Sequence, residues 1–150
     1  MATNNALNVQ GPTPLFSVYN SSDLLLTAGG GGGIAFDTVL YDTTSSFGGT
    51  AYVIPSSGYY LFNCNFTLNV VVSGYVSLSL DPEDGNRRYF TPVNVPVTAG
   101  NTYFFSGSFV VYKNEGGLVY AIFNTSAGSE IYAVATREKT SFSGSLLFAV

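Results

Sequence analysis

Between Gly58 and Val72 the chain reads GYYLFNCNFTLNVVV, with a bulky apolar residue at every second position. Tyr60, Phe62, Cys64, Phe66, Leu68 and Val70 alternate with Tyr59, Leu61, Asn63, Asn65, Thr67 and Asn69. A period of two belongs to an extended strand with one face in a core. The segment therefore predicts a long strand that lines the inside of a sandwich with its first set and shows a mostly amide and hydroxyl ribbon elsewhere.

The same alternation recurs along the chain. Residues 15–19 predict a short strand, and residues 34–41 (IAFDTVLY) predict another, with Phe36, Thr38 and Leu40 opposite Asp37, Val39 and Tyr41. Residues 51–54 are stopped by Pro55-Ser56-Ser57-Gly58, a turn cluster that hands the chain to the central strand. Residues 74–80 set Val76, Leu78 and Leu80 against Tyr75, Ser77 and Ser79. Asp84-Gly85 then predicts a hairpin, because a tight turn of this kind needs positive φ at its centre. Pro92 and Pro96 restrict residues 88–97 to an edge strand or a surface loop. Further strands follow at 102–112, with Tyr103, Phe105, Gly107, Phe109 and Val111 on one face, at 118–123, at 131–135 and at 141–150. The last would carry Phe142, Gly144, Leu146, Phe148 and Val150 on a shared face. About nine or ten strands separated by regular turn signals describe an all-β, two-sheet jelly-roll sandwich.

Two segments fall outside this pattern. Residues 1–14, MATNNALNVQGPTP, are polar and end in prolines, which suits an extended arm laid on a neighbouring subunit or another protein; Asn4, Leu7, Val9, Pro12 and Pro14 are its candidate contacts. Residues 29–33 are five consecutive glycines. A phosphate cradle would need a Lys-Ser or Lys-Thr next, but Ile34, Ala35 and Phe36 follow, so the run reads as a flexible loop.

Length and charge narrow the picture. At 150 residues the chain makes one domain, organised as an arm with a first short strand and a glycine-rich loop over 1–33 and the sandwich over 34–150. Only 9% of residues are charged, against roughly 25% in soluble domains. Much of the outer surface is thus left to Ser, Thr, Asn, Gly, Tyr and apolar side chains, for which self-association is the natural resolution. A net charge of −4, with Arg87, Arg88, Lys113, Arg137 and Lys139 as the cations, argues against nucleic acid as a partner. No apolar run is long enough to span a membrane, and the first ten residues lack the basic and apolar regions of a signal peptide, so synthesis in a host cytoplasm is expected.

Candidate chemistry is sparse. With no His and a single Cys, the usual nucleophile and base arrangements are absent, and neither an enzyme nor a cofactor is expected. Cys64 reads as a small buried hydrophobe. Lys113 and Lys139 read as solvated lysines in polar turns. Asp37 and Asp42 could in principle form a glycosidase pair, but nothing in their context raises a pKa. Asp81, Glu83 and Asp84, with Asn86, are weak metal candidates: they could gather oxygens around Ca²⁺, yet the ligand ladder of an EF-hand is missing and a solvated hairpin tip fits better. Asn20, Asn65 and Asn124 each begin a glycosylation triplet, as a chain this rich in Asn, Ser and Thr produces by chance.

Five short motifs, in order from residue 34 onward, resemble the globular domain of complement C1q, within the C1q and tumour-necrosis-factor superfamily of trimeric jelly rolls. Residues 36–42 resemble the FDxVLYN strand, with Asp42 in place of Asn. Residues 55–62 (PSSGYYLF) resemble the PxxGxYxF lead-in to the central strand. Residues 106–111 (SGSFVV) resemble SGSxxL, and residues 116–120 resemble the GDxV strand start, with Gly117 where Asp is common. Residues 141–147 (SFSGSLL) resemble the C-terminal SxFSGxLL. The resemblance implies a homotrimer in which the edge of one sandwich packs on a neighbour's aromatic sheet, with both termini near one end. Tyr59, Leu61, Phe104, Tyr120 and Tyr132 are candidates for that intersubunit surface, being large and lying opposite, or at the ends of, the expected core rows.

Residues 1–33 show no Gly-X-Y period of a collagen-like stalk. By elimination, the expectation is a structural protein of a virus or phage particle: a capsid decoration or cement protein located on the virion, with a major capsid protein as partner. The rival is a receptor- or carbohydrate-binding head of a tail fibre or surface protein, using loops 81–88 and 112–117.

Overall fold

The computed structural model describes residues 12–26, 33–83, 85–136 and 138–150, and among them there is no helix. The strands are β1 (Leu15–Tyr19), β2 (Leu24–Leu26), β3 (Thr38–Asp42), β4 (Ala51–Val53), β5 (Gly58–Val72), β6 (Gly74–Asp81), β7 (Arg88–Tyr89), β8 (Val95–Val97), β9 (Thr102–Lys113), β10 (Leu118–Thr125), β11 (Glu130–Ala133) and β12 (Ser141–Ala149). They form two antiparallel sheets. The larger has the order β2-β11-β5-β12-β1-β3, with β9 also paired to β5; the smaller has β4-β10-β6-β7, with β8 on the same edge of β6 as β7.

The long alternating segment is the axis of this arrangement. β9 pairs with β5 from Gly58 to Asn69, which uses one edge, so β12 (against 58–65) and β11 (against 68–72) must share the other. Tyr60, Phe62, Cys64, Phe66, Leu68 and Val70 are all buried, as the alternation requires. Across the sandwich they meet Val76, Leu78 and Leu80 of β6 and Val119, Ala121 and Phe123 of β10. At one end the core is aromatic: Phe16 stacks on Tyr52 at 4.0 Å between centroids and meets Phe142 edge-on at 4.9 Å.

Two glycines make room for these rings. A Cβ on Gly144 would lie 2.5 Å from Phe16 Cε1 and 2.7 Å from Phe62 Cδ1, and one on Gly107 would lie 2.4 Å from Phe90 Cδ1. Phe90, on the segment between β7 and β8, thus leans across to β9 and packs with Phe66 and Phe109 (6.3 and 5.1 Å), bridging the two sheets. In both Ser-Gly-Ser triplets, 106–108 and 143–145, the glycine faces the core and the serines face out.

Several expectations are corrected. The strand predicted from residue 34 begins at Thr38; before it, Ile34 N–H donates to Ala121 O and Phe36 N–H to Gly49 O, so both apolar side chains are buried from an irregular crossing segment. Residues 15–26, grouped by sequence with the arm, supply β1 and β2 to the larger sheet. The hairpin predicted at Asp84-Gly85 is wider than a two-residue turn, since β6 pairs with β7 only from Leu80 and Arg88; Asp84 itself lies outside the described residues. In β12 the register breaks between Leu146, opposite Tyr60, and Phe148, opposite Tyr59. This bulge removes Phe148 from the expected core row and turns it outward.

Cys64 is sealed in the core, and burial pushes its thiol well above its ordinary pKa; burial likewise pushes the Tyr52 phenol up to about 12. A group that holds its proton more tightly when folded stabilises the fold fully below its unfolded pKa and less as pH rises past it. The urea midpoint should therefore fall above about pH 8.5 and fall further above about pH 10; in Cys64→Ala the first part of that fall should vanish. Gly144→Ala should cost about 1–3 kcal/mol in urea unfolding by overpacking, whereas Ser143→Ala, facing outward, should change little.

Candidate subunit interface

The outer face of the larger sheet follows from the same alternation, read from the other side. Residues directly opposite in an antiparallel pair share a face, so the pairing defines rows running across β9, β5, β12 and β1. The first row is Tyr112, Tyr59 and Phe148. The second is Val110, Leu61, Ser145 and Leu15. The third is Ser108, Asn63, Ser143 and Ser17, and the fourth Ser106, Asn65, Ser141 and Tyr19. Phe104 beside Thr67 and, below them, Thr102, Asn69 and Tyr132 complete the face.

The first row is a continuous aromatic strip: the Tyr59 ring lies 5.2 Å from Tyr112 and 4.8 Å from Phe148. All three are exposed, Phe148 by 56%, and at the other end Phe104 is 75% exposed. None of the rows from β9 to β1 contains Asp, Glu, Lys or Arg. Glu138 and Lys139, from the turn before β12, adjoin the face only at its Asn65 and Phe104 end. A solvated sheet face of this length ordinarily carries charge along its strands, and rows without it, with apolar ends and a polar middle, have the make-up of a protein contact. Its extent is suitable too: roughly four strands at about 4.8 Å, by about 11 residues at about 3.3 Å, give on the order of 700 Å², near the roughly 800 Å² each partner contributes to a specific interface.

Of the residues singled out by sequence, Tyr59 and Leu61 fall in adjacent rows of this face, while Phe104 and Tyr132 lie on it towards its far end. Tyr120 is elsewhere, on β10 of the smaller sheet. The Tyr132 phenol donates to Glu130 Oε1 (2.9 Å), and that carboxylate holds its pKa up. Phe148, Tyr112 and Val110 were missed. The alternation of β9 places Val110 and Tyr112 outward, but Phe148 needed the bulge, which leaves no mark in the local pattern.

Of the arm, Asn4, Leu7 and Val9 lie outside the described residues. Pro12 is exposed, and Pro14 is buried against the last strand, its carbonyl accepting Leu146 N–H at 2.8 Å. The chain thus enters the sheet beside residues 146–149, at the aromatic end of the face.

The other candidates are engaged within the subunit. Asp37 accepts Ser21 N–H (2.7 Å) and Ser21 Oγ (2.8 Å), and these bonds hold its carboxyl below the usual range, the wrong direction for a general acid. Asp42 Oδ2 accepts Phe47 N–H at 2.7 Å and Oδ1 accepts Thr44 N–H at 3.2 Å, a turn-closing role. Asp81 accepts Glu83 N–H (2.9 Å) and pairs with Arg87 (3.1 Å); Asp84 lies outside the described residues. Among the described residues no three acidic, His or Cys side chains gather as metal ligands. Lys113 corrects the expectation of a solvated lysine. It is buried at the end of β9, its ammonium donates to the Pro82 carbonyl, and its Cε would lie 2.9 Å from a Cβ on Gly117, so a side chain at 117 would have to displace the end of the lysine. The two loops named for sugar recognition do meet, lining one open cleft of about 650 Å³ with Glu83, Arg88, Tyr112, Asn114 and Glu115.

No protein-family model matches the chain, and no curated protein matches it in sequence. Solved structures do. The globular domain of zebrafish complement 1qA superimposes with a TM-score of 0.65 at 18% identity, over 91% of this chain and 99% of that one. The Eiger TNF of S. frugiperda gives 0.63 at 10% identity, over 93% and 95%. Murine APRIL gives 0.61 at 10% identity, over 91% and 100%. The chain is a C1q/TNF-like jelly-roll domain, and at these identities the likeness is one of fold.

Proposed function

We propose that the protein is a non-enzymatic assembly domain that forms a homotrimer through the outer face of its larger sheet. The observation that carries this reading is the absence of charged residues from the four rows that cross that face from β9 to β1, beginning with the aromatic strip. The C1q/TNF-like fold supports it, as does the internal engagement of Asp37, Asp42 and Lys113, three of the groups weighed for chemistry. The finer reading is that the trimer decorates a virus or phage capsid at three-fold or quasi-three-fold points, holding a major capsid protein with the arm that leaves from the aromatic end. Symmetry matching and a large shared surface serve that task better than a pocket.

A second reading has one observation in its favour: loops 81–88 and 112–117 converge on the open cleft beside Tyr112 and Asn114. Under it the trimer is a recognition head, and a glycan array separates the two, since a decoration protein binds no glycan.

Light scattering should give three times the 15.9 kDa subunit mass. Tyr59→Ser combined with Phe148→Ser should return the mass to that of one subunit while the far-ultraviolet spectrum stays β; an unchanged trimer would sink the assigned face. Deleting residues 1–11, which spares the contact between Pro14 and β12, should leave the trimer intact and abolish cosedimentation with particles. Retained cosedimentation would remove the arm from the capsid reading.

A further inference from the structure

Burial of apolar surface drives association without choosing direction. A strip such as Tyr112, Tyr59 and Phe148 could be covered by a second copy in many staggers, so a trimer of one geometry needs another determinant. We infer that the belt of serines and asparagines across the middle of the face, centred on Asn63 and Asn65, fixes the stagger and number of copies. This rests on the self-association reading above and extends it to the groups that make it specific.

Each amide is oriented by its own subunit. Ser108 Oγ donates to Asn63 Oδ1 at 2.6 Å, so the Asn63 amide nitrogen is turned away with its two N–H groups, which have no acceptor among the described residues. Asn65 is held the opposite way round. Its Nδ2 donates to Ser141 Oγ at 3.3 Å, and its Oδ1 has no donor among the described residues. One face therefore presents a fixed donor and a fixed acceptor two residues apart on β5, separated by roughly 7 Å along the strand. The serines around them are short, so the amides stand clear at the level where a neighbour would lie.

The occupant that fits is a second copy of this chain. It carries the matching acceptor for the Asn63 donor and the matching donor for the Asn65 acceptor, and the rows from β9 to β1 hold no charge to repel their like. In a head-to-tail ring every subunit gives one such bond and takes one, and only the stagger that pairs them closes the ring. Any other stagger buries an amide N–H or C=O against an apolar side chain, which is costly. A single polar layer within an apolar seam sets register and copy number in coiled coils by the same physics.

Replacing the amide by a carboxylate tests this directly. Asn63→Asp loses the donor and gathers one acid from each copy in the seam. Position 63 is faced by Ser108 of β9, by Ser143 of β12 and by Leu61 and Asn65 of β5, none of them titratable; the phenol of Tyr41 closes the same row beyond β1, and Glu138 and Lys139, from the turn before β12, line a cleft with Asn65 and Ser106 one row further on. Mass by light scattering should be that of the trimer at about pH 4, where acids gathered in one seam share enough protons to relieve their repulsion given an ordinary Asp pKa of about 3.9, and one third of it at pH 8. The unsubstituted chain should hold three times 15.9 kDa at both pH values, as should Asn124→Asp on the smaller sheet. An Asn63→Asp trimer that persists at pH 8 overturns the inference alone. Should that variant fail to fold, Asn63→Leu carries the test: a spread of masses supports the belt as determinant, and one uniform trimer overturns it. A monomeric unsubstituted chain overturns the self-association reading, and this inference with it.

Discussion

The rest of the molecule depends on a fifteen-residue strand paired along both edges. β5 is held by β9 on one side and by β12 and β11 on the other, so it cannot slip without breaking three ladders at once. A slip of one residue would also exchange its faces, bringing Asn63, Asn65 and Asn69 into the core and expelling Phe62, Cys64 and Phe66. Register and hydrophobic pattern therefore enforce one another. The same constraint that builds the core dictates every residue on the outer face.

Coupling of the two faces is most visible in the Ser-Gly-Ser triplets. In strands crowded with aromatic rings on one side, a residue without a side chain at 107 and 144 admits Phe90 in one case and Phe16 with Phe62 in the other. The flanking serines lie on the opposite side, short and uncharged. The sparse charges lie mainly in loops and at strand ends, as in the Asp81–Arg87 pair and the turns around Asp37 and Asp42. A chain with net charge −4 thereby keeps the rows that cross β9, β5, β12 and β1 free of it, with Glu138 and Lys139 adjoining only their Asn65 end.

Much of this was legible in the chain because alternation is local. The faces of β5 and β9, and thus Tyr59, Leu61, Val110 and Tyr112, follow from counting by two. What was not legible depends on partners distant in sequence. Ile34 and Phe36 are apolar and alternate, but their N–H groups bond to Ala121 and Gly49 in a crossing segment, which periodicity cannot distinguish from a strand. Lys113 is polar and adjoins a turn, yet the Pro82 carbonyl lies within its reach and Gly117 leaves the space it fills. The belt on the outer face could be read as polar from sequence, whereas the opposite orientation of Asn63 and Asn65 depends on Ser108 and Ser141, far along the chain.

The bulge between Leu146 and Phe148 makes the end of the last strand unusual in how it can change. Elsewhere in the sandwich a side chain is altered in place and remains on its side. Here one surplus residue decides which side all that follow will occupy, so gaining or losing a single codon at this point would exchange the sides of the strand taken by the exposed residues 147–150 together. The surface beside Tyr59 is thus open to revision by length as well as by identity.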